Sequence, residues 1–510
     1  MSAVASFVRR YIDKIRTVLS CFDRVIIQAT LPDLCYAGGM TAFLHRRRIR
    51  IFDYPRWAEQ WRDKLRQNAE ALAQENGITI EFVRKATFRK EKRIQEVLQQ
   101  RGDHPGLVHI LSAMESCQAY RPWHDKKTHK TFLKSVKGQC LHYYFYFIAK
   151  DFGLCYLRVP TWCPFRLQFY FNGHNYLARQ LDKRGIGYKL LDNAFVSMLN
   201  PEAAQQLADK LDARRLHLAL DHFALTYCPI IRDLAVSIRW SLMQVEFATD
   251  IVFNRQDELA PIYETLTRTA IHAVKADDVA TFLGRKPTSS YQDELGNNFS
   301  TRIEGTRLRH YMGPASIKIY DKFQLVLRIE TTANDVSFFK HHRNVEHRDG
   351  TTEFKLAPLK KSIYSLRDLR ELLAASNRRY IDYISAIDDP SPNLKALDKV
   401  TKSTTVNGRN YKGFNFFADV DLKLLEVLVR AEHNISGLRA LDIRKHLPDL
   451  SAGQVSRLLK RLRTHGLLKR VGRTYKYYLT ALGRRVILAG LKLRALFVIP
   501  QLAPAPVAGL

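Results

Sequence analysis

The sequence predicts a mixed α/β protein of several domains, and three observations support this class. The chain has 510 residues, which at about 150 residues per domain corresponds to roughly three domains. Hydrophobic residues make up 46% and aromatic residues 11% of the chain. That is enough for packed cores, and it excludes a disordered basic protein of histone type. Stretches with strand and helix periodicity alternate in the N-terminal region, as in α/β folds.

The N-terminal elements follow from hydrophobic spacing. A buried strand is predicted over Cys21–Leu31 because of its β-branched run, and a second over Ile78–Val83. Between them, Tyr54–Glu75 predicts a long helix in which tryptophan and leucine recur every fourth residue. Leu141–Phe171 is aromatic and rich in strand-forming residues. Its tyrosines and phenylalanines are expected in the core more than on a stacking surface, namely Tyr143, Tyr144, Tyr146, Phe165, Phe169 and Phe171.

Three further elements are predicted in the middle of the chain. Asn172-Gly173-His174 predicts an exposed turn before a helix that begins within Tyr176–Arg184. Ser316–Ile319 and Gln324–Glu330 alternate in polarity, which predicts a hairpin with a short turn at Asp321-Lys322. Ser365–Ile387 is predicted to be helical.

The charge of the chain favours a polyanionic partner. Lys and Arg total 81 and Asp and Glu total 50, a formal net charge of +31. The surplus is +12 over residues 1–140, +8 over 141–416 and +11 over 417–510, so it is concentrated at the two ends. Nucleic acid is the first expectation and an anionic membrane the second, with a basic surface kept for solubility as the alternative.

The sequence predicts neither a membrane partner nor a secreted protein. Its most apolar windows, Leu141–Pro160 and Val486–Pro500, are interrupted by charged residues. The N-terminus has no apolar core before a cleavage site. The seven cysteines form no CxxC pair, which favours free thiols in a reducing cytoplasm. We expect a cytoplasmic, nucleoid-associated protein, with a homodimer as one oligomeric state.

The C-terminal region predicts a winged helix-turn-helix. Helices are predicted over Asp419–Ala431, Leu438–His446 and Ala452–Thr464, the last capped by Ser451. Gly466 ends that helix, and a two-stranded basic wing follows over Leu467–Val471 and Tyr475–Thr480. This order suits insertion of the third helix into the major groove of DNA, although a domain used only for protein contacts is the alternative. The predicted DNA-binding residues are Ser451, Gln454, Arg457, Lys460 and Arg461 on the helix and Lys469, Arg470, Arg473 and Lys476 on the wing.

Two stretches in this region, VSRLLKRLRTHGLLKRVG and YYLTALGRRV, resemble the MarR-type winged-helix regulators. The resemblance covers residues 418–490 and implies DNA binding and transcriptional regulation. MarR proteins are small dimers built around terminal helices, whereas here a long unrelated region precedes the domain. A regulator whose N-terminal region senses a ligand is therefore an alternative, and the +12 of residues 1–140 argues against it.

A second resemblance lies in the middle of the chain. Ser316–Lys322 followed by Leu327–Glu330 is similar to the YDK…RxE hairpin of rolling-circle replication initiators, which implies DNA strand nicking. Asp321 and Glu330 carry hard oxygen ligands that suit Mg²⁺ beside a phosphodiester. Tyr380 or Tyr383 is the candidate hydroxyl nucleophile. Lys322 and Arg328 complete the candidate catalytic set. The alternative is an exposed hairpin with an Arg–Glu cross-strand pair, and the sequence has no His-x-His pair for a two-histidine metal site.

A different set of carboxylates is an alternative candidate site. Glu246 and Asp250 are four residues apart in SLMQVEFATDIVF and would share one face of a helix. With Asp23 on the first predicted strand, they would form a carboxylate trio of the RNase H-like kind.

Basic runs elsewhere are candidate contacts to the nucleic-acid backbone. They comprise Arg46, Arg47, Arg48, Arg50, Arg89, Lys90, Lys92, Arg93, Lys126 and Lys127.

Taken together, these features predict a basic nucleic-acid-binding α/β body over 1–240 and a central α+β domain over 241–390. A linker over 391–416, a winged helix-turn-helix over 417–495 and a tail over 496–510 complete the organisation. The leading function is a nucleic-acid-binding protein associated with a mobile element or with replication, with a C-terminal DNA reader. The alternatives are a Mg²⁺-dependent strand-nicking or strand-transfer enzyme and a MarR-like transcription regulator.

Overall fold

A computed structural model describes residues 5–85, 87–285, 299–387, 399–430, 433, 437–471 and 474–494, and it confirms the mixed α/β class. The helices of these residues are α1 Ala5–Arg10, α2 Ala37–Arg46, α3 Tyr54–Glu75, α4 Lys90–Arg101, α5 Gly173–Asp182, α6 Pro201–Asp209, α7 Ala213–Tyr227, α8 Ile230–Leu234, α9 Gln256–Ala273, α10 Ala276–Phe282, α11 Leu366–Ile387, α12 Asp419–Leu428, α13 Ala440–His446, α14 Ala452–Thr464 and α15 Ala481–Leu493. Within the described chain, none of these helices is both long and apolar enough to cross a membrane.

The strands of the described residues are β1 Ile15–Thr30, β2 Glu81–Phe82, β3 Gly106–Asp125, β4 Lys130–Ala149, β5 Gly153–Pro160, β6 Gln168–Asn172, β7 Tyr188–Leu191, β8 Ala194–Met198, β9 Arg239–Phe253, β10 Phe299–Glu304, β11 Arg307–Met312, β12 Ala315–Lys322, β13 Val326–Ala333, β14 Lys340–Glu346, β15 Thr352–Pro358, β16 Thr404–Val406, β17 Arg409–Tyr411, β18 Leu468–Arg470 and β19 Tyr477–Leu479.

The chain divides into two compact units, each assembled from separate segments. The central unit comprises Thr17–Val252 and Glu330–Leu373, and the terminal unit comprises Met1–Arg16, Phe253–Ile329 and Ala374–Leu510. The domains predicted from the sequence are contiguous blocks, because changes in composition along the chain do not reveal which distant segments pack together.

A sheet organises the central unit. Its strand order is β13-β9-β1-β6-β5-β4-β3-β2, with β13 contributing its second half from Glu330 onward. The pairs β1–β6, β5–β6 and β4–β5 are antiparallel, with Arg24 opposite Asn172 and Tyr156 opposite Tyr170. The predicted core aromatics of β4 and β6 are buried, as expected. Phe147, for example, stacks on Tyr227 of α7 at 5.0 Å between ring centroids.

The long N-terminal elements match the sequence prediction, and short ones differ. The helix α3 spans Tyr54–Glu75 as predicted, and β1 contains the predicted Cys21–Leu31 strand up to Thr30. The predicted strand over Ile78–Val83 shortens to Glu81–Phe82, where the chain pairs with β3 in parallel.

Two predicted turns are wrong. Asn172 is the N-cap of α5, and Gly173 and His174 already belong to the helix. His174 is therefore fully buried instead of exposed. In the β12–β13 hairpin, the strand continues through Asp321-Lys322, and the turn falls at Phe323-Gln324, both with left-handed φ of 59° and 56°. Tight hairpin turns with left-handed φ usually carry Asn or Gly, so the Phe-Gln pair did not indicate a turn in the sequence.

The predicted linker over 391–416 is partly structured. Residues 388–398 lie outside the described chain, but Thr404–Val406 and Arg409–Tyr411 form a hairpin around Asn407-Gly408. Val400, Phe414 and Phe416 are buried in one hydrophobic core with leucines of α12 and α14. In the terminal unit this stretch therefore packs with the C-terminal helices.

The C-terminal helices lie close to their predicted bounds. The helix α14 covers Ala452–Thr464 as predicted, and Ser451 with Gln454 forms a reciprocal capping box. Gly466 follows with a left-handed φ of 72°, and β18 pairs with β19 in the predicted wing region. The winged helix-turn-helix identity of this region stays a prediction.

Candidate metal centre

Three carboxylates meet on three neighbouring strands of the central unit. Asp23 lies on β1, Glu246 on β9 and Glu330 on β13, and the strand order β13-β9-β1 places these strands side by side. One carboxylate oxygen from each residue lies within 4.8 Å of the other two. Glu330 is fully buried, and Asp23 and Glu246 are 7% and 9% exposed. Three like charges this close and this buried repel one another unless a cation or a proton intervenes.

Asp23 is held by polar side chains from two elements. Asn172 donates its Nδ2 proton to Asp23 Oδ1 at 3.0 Å, and Asn193 donates to the same oxygen at 2.5 Å. His174 Nδ1 lies 3.1 Å from that oxygen. These contacts fix the direction of the Asp23 carboxylate within the cluster.

The start of α5 explains how His174 reaches Asp23. The Asn172 side chain accepts hydrogen bonds from the backbone N–H groups of His174 and Asn175, which caps the helix. A Cβ atom at Gly173 would lie 2.0 Å from the Phe22 carbonyl oxygen. Only glycine permits this approach of α5 to β1 beside Asp23.

Asp250 does not join the metal-ligand group, contrary to the predicted trio. Asp250 Oδ2 lies 3.3 Å from His174 Nε2, so the imidazole bridges Asp250 and Asp23. The structure brings Asp23 and Glu246 together, as in the predicted trio, but with Glu330 in place of Asp250. The segment around Glu246 is a strand and not a helix. A spacing of four residues shares a face in either structure, and the neighbouring strand supplies the third carboxylate.

Glu246 has polar and cationic neighbours. Thr332 donates its hydroxyl proton to Glu246 Oε1 at 3.4 Å. Burial lowers the pKa of the Arg24 guanidinium, but the nearby Tyr170, Glu246 and Asp23 outweigh it and raise that pKa above its ordinary value. Arg24 is therefore a permanent positive charge within electrostatic reach of two members of the cluster.

The other predicted hairpin residues belong to the terminal unit and not to this cluster. Asp321 is near the end of β12 and is not among the grouped ligands, and burial raises the pKa of its carboxyl. The Lys322 Nζ lies 5.1 Å from the centroid of the Phe323 ring. Arg328 is fully buried in β13. Of the predicted Asp321–Glu330 metal pair, only Glu330 belongs to the cluster of three carboxylates.

The two candidate nucleophiles are tyrosines of α11 with structural hydrogen bonds. Tyr380 is fully buried, and its hydroxyl lies 3.0 Å from His310 Nε2. Tyr383 donates its hydroxyl proton to Asp278 at 3.1 Å, and burial together with that carboxylate raises its pKa. Burial and these contacts do not favour a nucleophile at either position.

The first basic run is exposed but partly engaged. Arg46 pairs with Asp33 at 3.1 Å and Arg50 with Asp53 at 2.8 Å. The Arg47 guanidinium lies 4.6 Å from the centroid of the Phe43 ring. Arg48 is exposed, with a left-handed φ of 56°.

The second basic run divides by helix face. Lys90 pairs with Glu115 at 3.2 Å, and Arg93 pairs with Glu81 at 2.8 Å, so these two cations are neutralised within the central unit. Arg89 and Lys92 are exposed at the start of α4. Lys126 and Lys127 are exposed between the ends of β3 and β4.

The predicted DNA-binding residues of α14 also divide into exposed side chains and side chains that are engaged by other residues. Arg457 and Lys460 are exposed. Gln454 is occupied in the capping box, where its side chain accepts from the Ser451 N–H at 2.7 Å. Arg461 turns inward and binds both oxygens of Asp421 at 2.9 Å, so its predicted role as a base reader is replaced by a structural one.

On the predicted wing, Lys469 and Arg470 are exposed and Lys476 is half-buried. Arg470 donates from Nε to the Thr474 carbonyl at 2.7 Å. Arg473 lies outside the described residues.

Sequence reasoning missed Asn172 and Asn193 as partners of Asp23. Asn172 carried a signal, because Asn followed by Gly at the end of a strand is a good N-cap. Asn193 carried none, since its contact with Asp23 bridges 170 positions of the chain.

A comparison of the chain with protein-family models, curated proteins and solved structures finds no match in any of the three.

Proposed function

We propose that this protein is a Mg²⁺-dependent enzyme that cleaves or transfers strands of nucleic acid, with Asp23, Glu246 and Glu330 as the metal ligands. The observation that carries the proposal is the convergence of these three carboxylates to within 4.8 Å on adjacent strands. Mg²⁺ prefers oxygen ligands and is commonly bound through carboxylates together with substrate phosphates.

The cluster fits a divalent cation in charge as well as in ligand type. Three carboxylates with nearly buried side chains place a large negative charge in a low-dielectric setting, which a divalent ion offsets. When bound, the metal would polarise a phosphoryl oxygen and activate water or a hydroxyl. Asn172, Asn193 and His174 would orient the Asp23 ligand, as outer partners of metal ligands commonly do.

Nucleic acid is the substrate class that the overall charge favours. The net charge is +31, and acidic residues are the minority throughout the chain. Exposed cations in the central unit, among them Arg48, Arg89 and Lys92, are available for phosphates. Nucleic acid is itself negatively charged. A metal ion bound at the acidic cluster would allow its phosphates to approach those carboxylates.

The test is a cleavage assay with supercoiled plasmid and labelled single-stranded and duplex oligonucleotides, with Mg²⁺ or Mn²⁺ and with EDTA. We expect metal-dependent nicking or joining by the wild type. Asp23→Asn and Glu330→Gln should each lower the rate by at least about 100-fold, because a missing ligand costs more than a missing outer partner.

Glu202→Gln is the matched control, since Glu202 is an exposed carboxylate on α6 of the same unit. It should leave the rate unchanged. A cleavage rate that is the same with Mg²⁺ and with EDTA would contradict the proposal. So would a rate that is unchanged in Asp23→Asn and Glu330→Gln.

A second function is favoured by the exposed face of α14. We infer that the C-terminal region of the terminal unit binds duplex DNA through Arg457 and Lys460 on α14 and Lys469 and Arg470 on β18, whose side chains are exposed. The Ser451–Gln454 capping box fixes the start of α14, so Arg457 and Lys460 are presented from a defined helix.

The test of this second function is the salt dependence of duplex binding by the full chain. Arg457→Ala with Lys460→Ala should weaken binding and reduce the salt slope by about one for each phosphate that the variant can no longer neutralise. Lys423→Ala on α12, also exposed, is the control. An unchanged slope in the double variant would exclude α14 as a DNA-contacting helix.

A further inference from the structure

A tyrosine-floored cleft lies beside the acidic cluster in the central unit. Tyr156 and Tyr170 are cross-strand partners whose ring centroids are 5.0 Å apart at an interplanar angle of 17°. Tyr146, opposite Tyr156 on β4, follows at 5.3 Å. The cleft above them has a volume of about 480 Å³ and is walled by residues of α4 and α5, which is a usual size for a small-molecule site.

The rim of the cleft is polar and mainly acidic. Glu91 of α4, Asp182 of α5 and Asp192 line it, and Arg24 and Arg179 are its arginines. Arg179 is paired with Asp103, and Tyr188 donates its hydroxyl proton to Asp182 at 2.9 Å. Away from Arg24, the acidic walls disfavour a phosphate in the cleft. They suit an uncharged ring with amino groups that can donate to carboxylates.

Two features connect the cleft to the acidic cluster. Asn172 and Asn193 both line the cleft, and both donate to Asp23 Oδ1. Arg24 also lines it, with its guanidinium 5.7 Å from the centroid of the Tyr170 ring. A ring stacked on Tyr170 would therefore lie next to a cation that is close to the candidate metal ligands.

We propose that this cleft binds one unpaired base of a single-stranded nucleic acid, stacked on Tyr170, with the phosphate of that nucleotide at Arg24. Stacking on aromatic side chains is the usual way in which proteins hold unpaired bases. The carboxylate of Glu91 accepts from the amino group of the base, so cytosine is bound more tightly than thymine, which has no such group. This inference rests on the proposed function, because it assigns the substrate of that site as an unpaired strand.

The test is fluorescence anisotropy of labelled oligo(dC), oligo(dT) and a duplex of mixed sequence with the full chain in EDTA. The wild type should bind oligo(dC) more tightly than oligo(dT). Tyr170→Ala should weaken oligo(dC) binding by roughly 5- to 150-fold, the loss typical of one stacked base. Tyr170→Phe keeps the ring and should stay within about two-fold of the wild type.

Two further variants keep the test decisive if Tyr170→Ala folds poorly. Glu91→Gln changes an exposed residue and should reduce the preference for oligo(dC) over oligo(dT). Tyr364→Ala removes an exposed tyrosine of the same unit outside the cleft and should change nothing. Equal binding of oligo(dC) and oligo(dT) by the wild type, or binding by a folded Tyr170→Ala equal to that of the wild type, would overturn the inference.

The absence of metal in this assay separates the two proposals. Glu330→Gln should lose cleavage but keep its affinity for oligo(dC). If binding depends on Tyr170 but no metal-dependent cleavage occurs, the base-binding proposal stands and the enzyme proposal is refuted. If cleavage is insensitive to Tyr170→Ala, the base-binding proposal is refuted and the enzyme proposal stands.

Discussion

Two of the regions in which the described chain buries carboxylates differ in their surroundings. In the C-terminal region, Asp421 has its own cation, because Arg461 donates to both carboxylate oxygens at 2.9 Å. In the central unit, Asp23, Glu246 and Glu330 share one small volume with ligand oxygens within 4.8 Å of one another. The first arrangement pairs one acid with one cation. The second brings three acids together, with Arg24 within electrostatic reach of two of them.

The Asp421 site shows what a structural buried ion pair looks like in this chain. Arg461 also donates to the Lys412 carbonyl at 2.8 Å, and its guanidinium lies 3.9 Å from the centroid of the Phe414 ring. Asp421 accepts a further bond from the Asn415 N–H at 2.9 Å. These bonds tie α12, α14 and the segment before α12 together. Such a site is expected to support folding and to bind nothing else.

The acidic cluster places like charges next to one another, and the contrast supports a functional reading of it. Groups that repel one another in the folded state cost stability, and such costs concentrate at functional sites. The two regions should therefore differ in how much stability they lose on neutralisation, as three measurements can establish.

The largest expected effect is at the Asp421–Arg461 pair. Asp421→Ala leaves the Arg461 guanidinium buried without its carboxylate, which should lower the free energy of unfolding by about 3–5 kcal/mol. Urea unfolding, combined with hydrogen exchange of residues 419–464, measures the loss where it occurs. Asp419→Ala, which removes an exposed carboxylate from the first turn of the same helix, should cost no more than about 1 kcal/mol. A loss at Asp421 as small as that at Asp419 would mean that the pair contributes little.

The two regions also differ in how far sequence could predict them. The bounds of α14 and its Ser451–Gln454 cap follow from residues within one helix, so local spacing was sufficient. Asp23, Glu246 and Glu330 come together only because β13, β9 and β1 are neighbours. Residue spacing could select acids that share a face, which paired Glu246 with Asp250. It could not show that β13 lies beside β9, so Glu330 was assigned to a different metal site, with Asp321.

The inward turn of Arg461 illustrates a second limit. Its position on α14 is four residues from Arg457, which suggested one basic face. The partner that draws Arg461 inward is Asp421, forty positions earlier. A helical repeat places side chains around one helix but does not show which neighbouring element covers them.

The next effect in size is stabilisation by metal at the cluster. At a Mg²⁺ or Mn²⁺ concentration about 100 times the dissociation constant, binding to the folded state should add about 2.7 kcal/mol to the free energy of unfolding. Thermal unfolding with metal and with EDTA measures this difference. Asp23→Asn should abolish it and Glu202→Gln should retain it. A metal-induced shift that is the same in Asp23→Asn would place the binding site elsewhere.

The smallest effect is the most direct test of the contrast, because it neutralises one acid of the cluster as Asp421→Ala neutralises the acid of the ion pair. In EDTA, Glu246→Gln removes one of three neighbouring negative charges and also its attraction to Arg24, while keeping the shape of the side chain and an oxygen for the Thr332 hydroxyl. Because the lost repulsion and the lost attraction oppose each other, we expect the free energy of unfolding to change by no more than about 1 kcal/mol. Urea unfolding of the wild type and the variant, both without metal, measures it. A loss as large as that of Asp421→Ala would show that Glu246 is one half of a structural ion pair, and would remove the electrostatic reason for assigning a cation to the cluster.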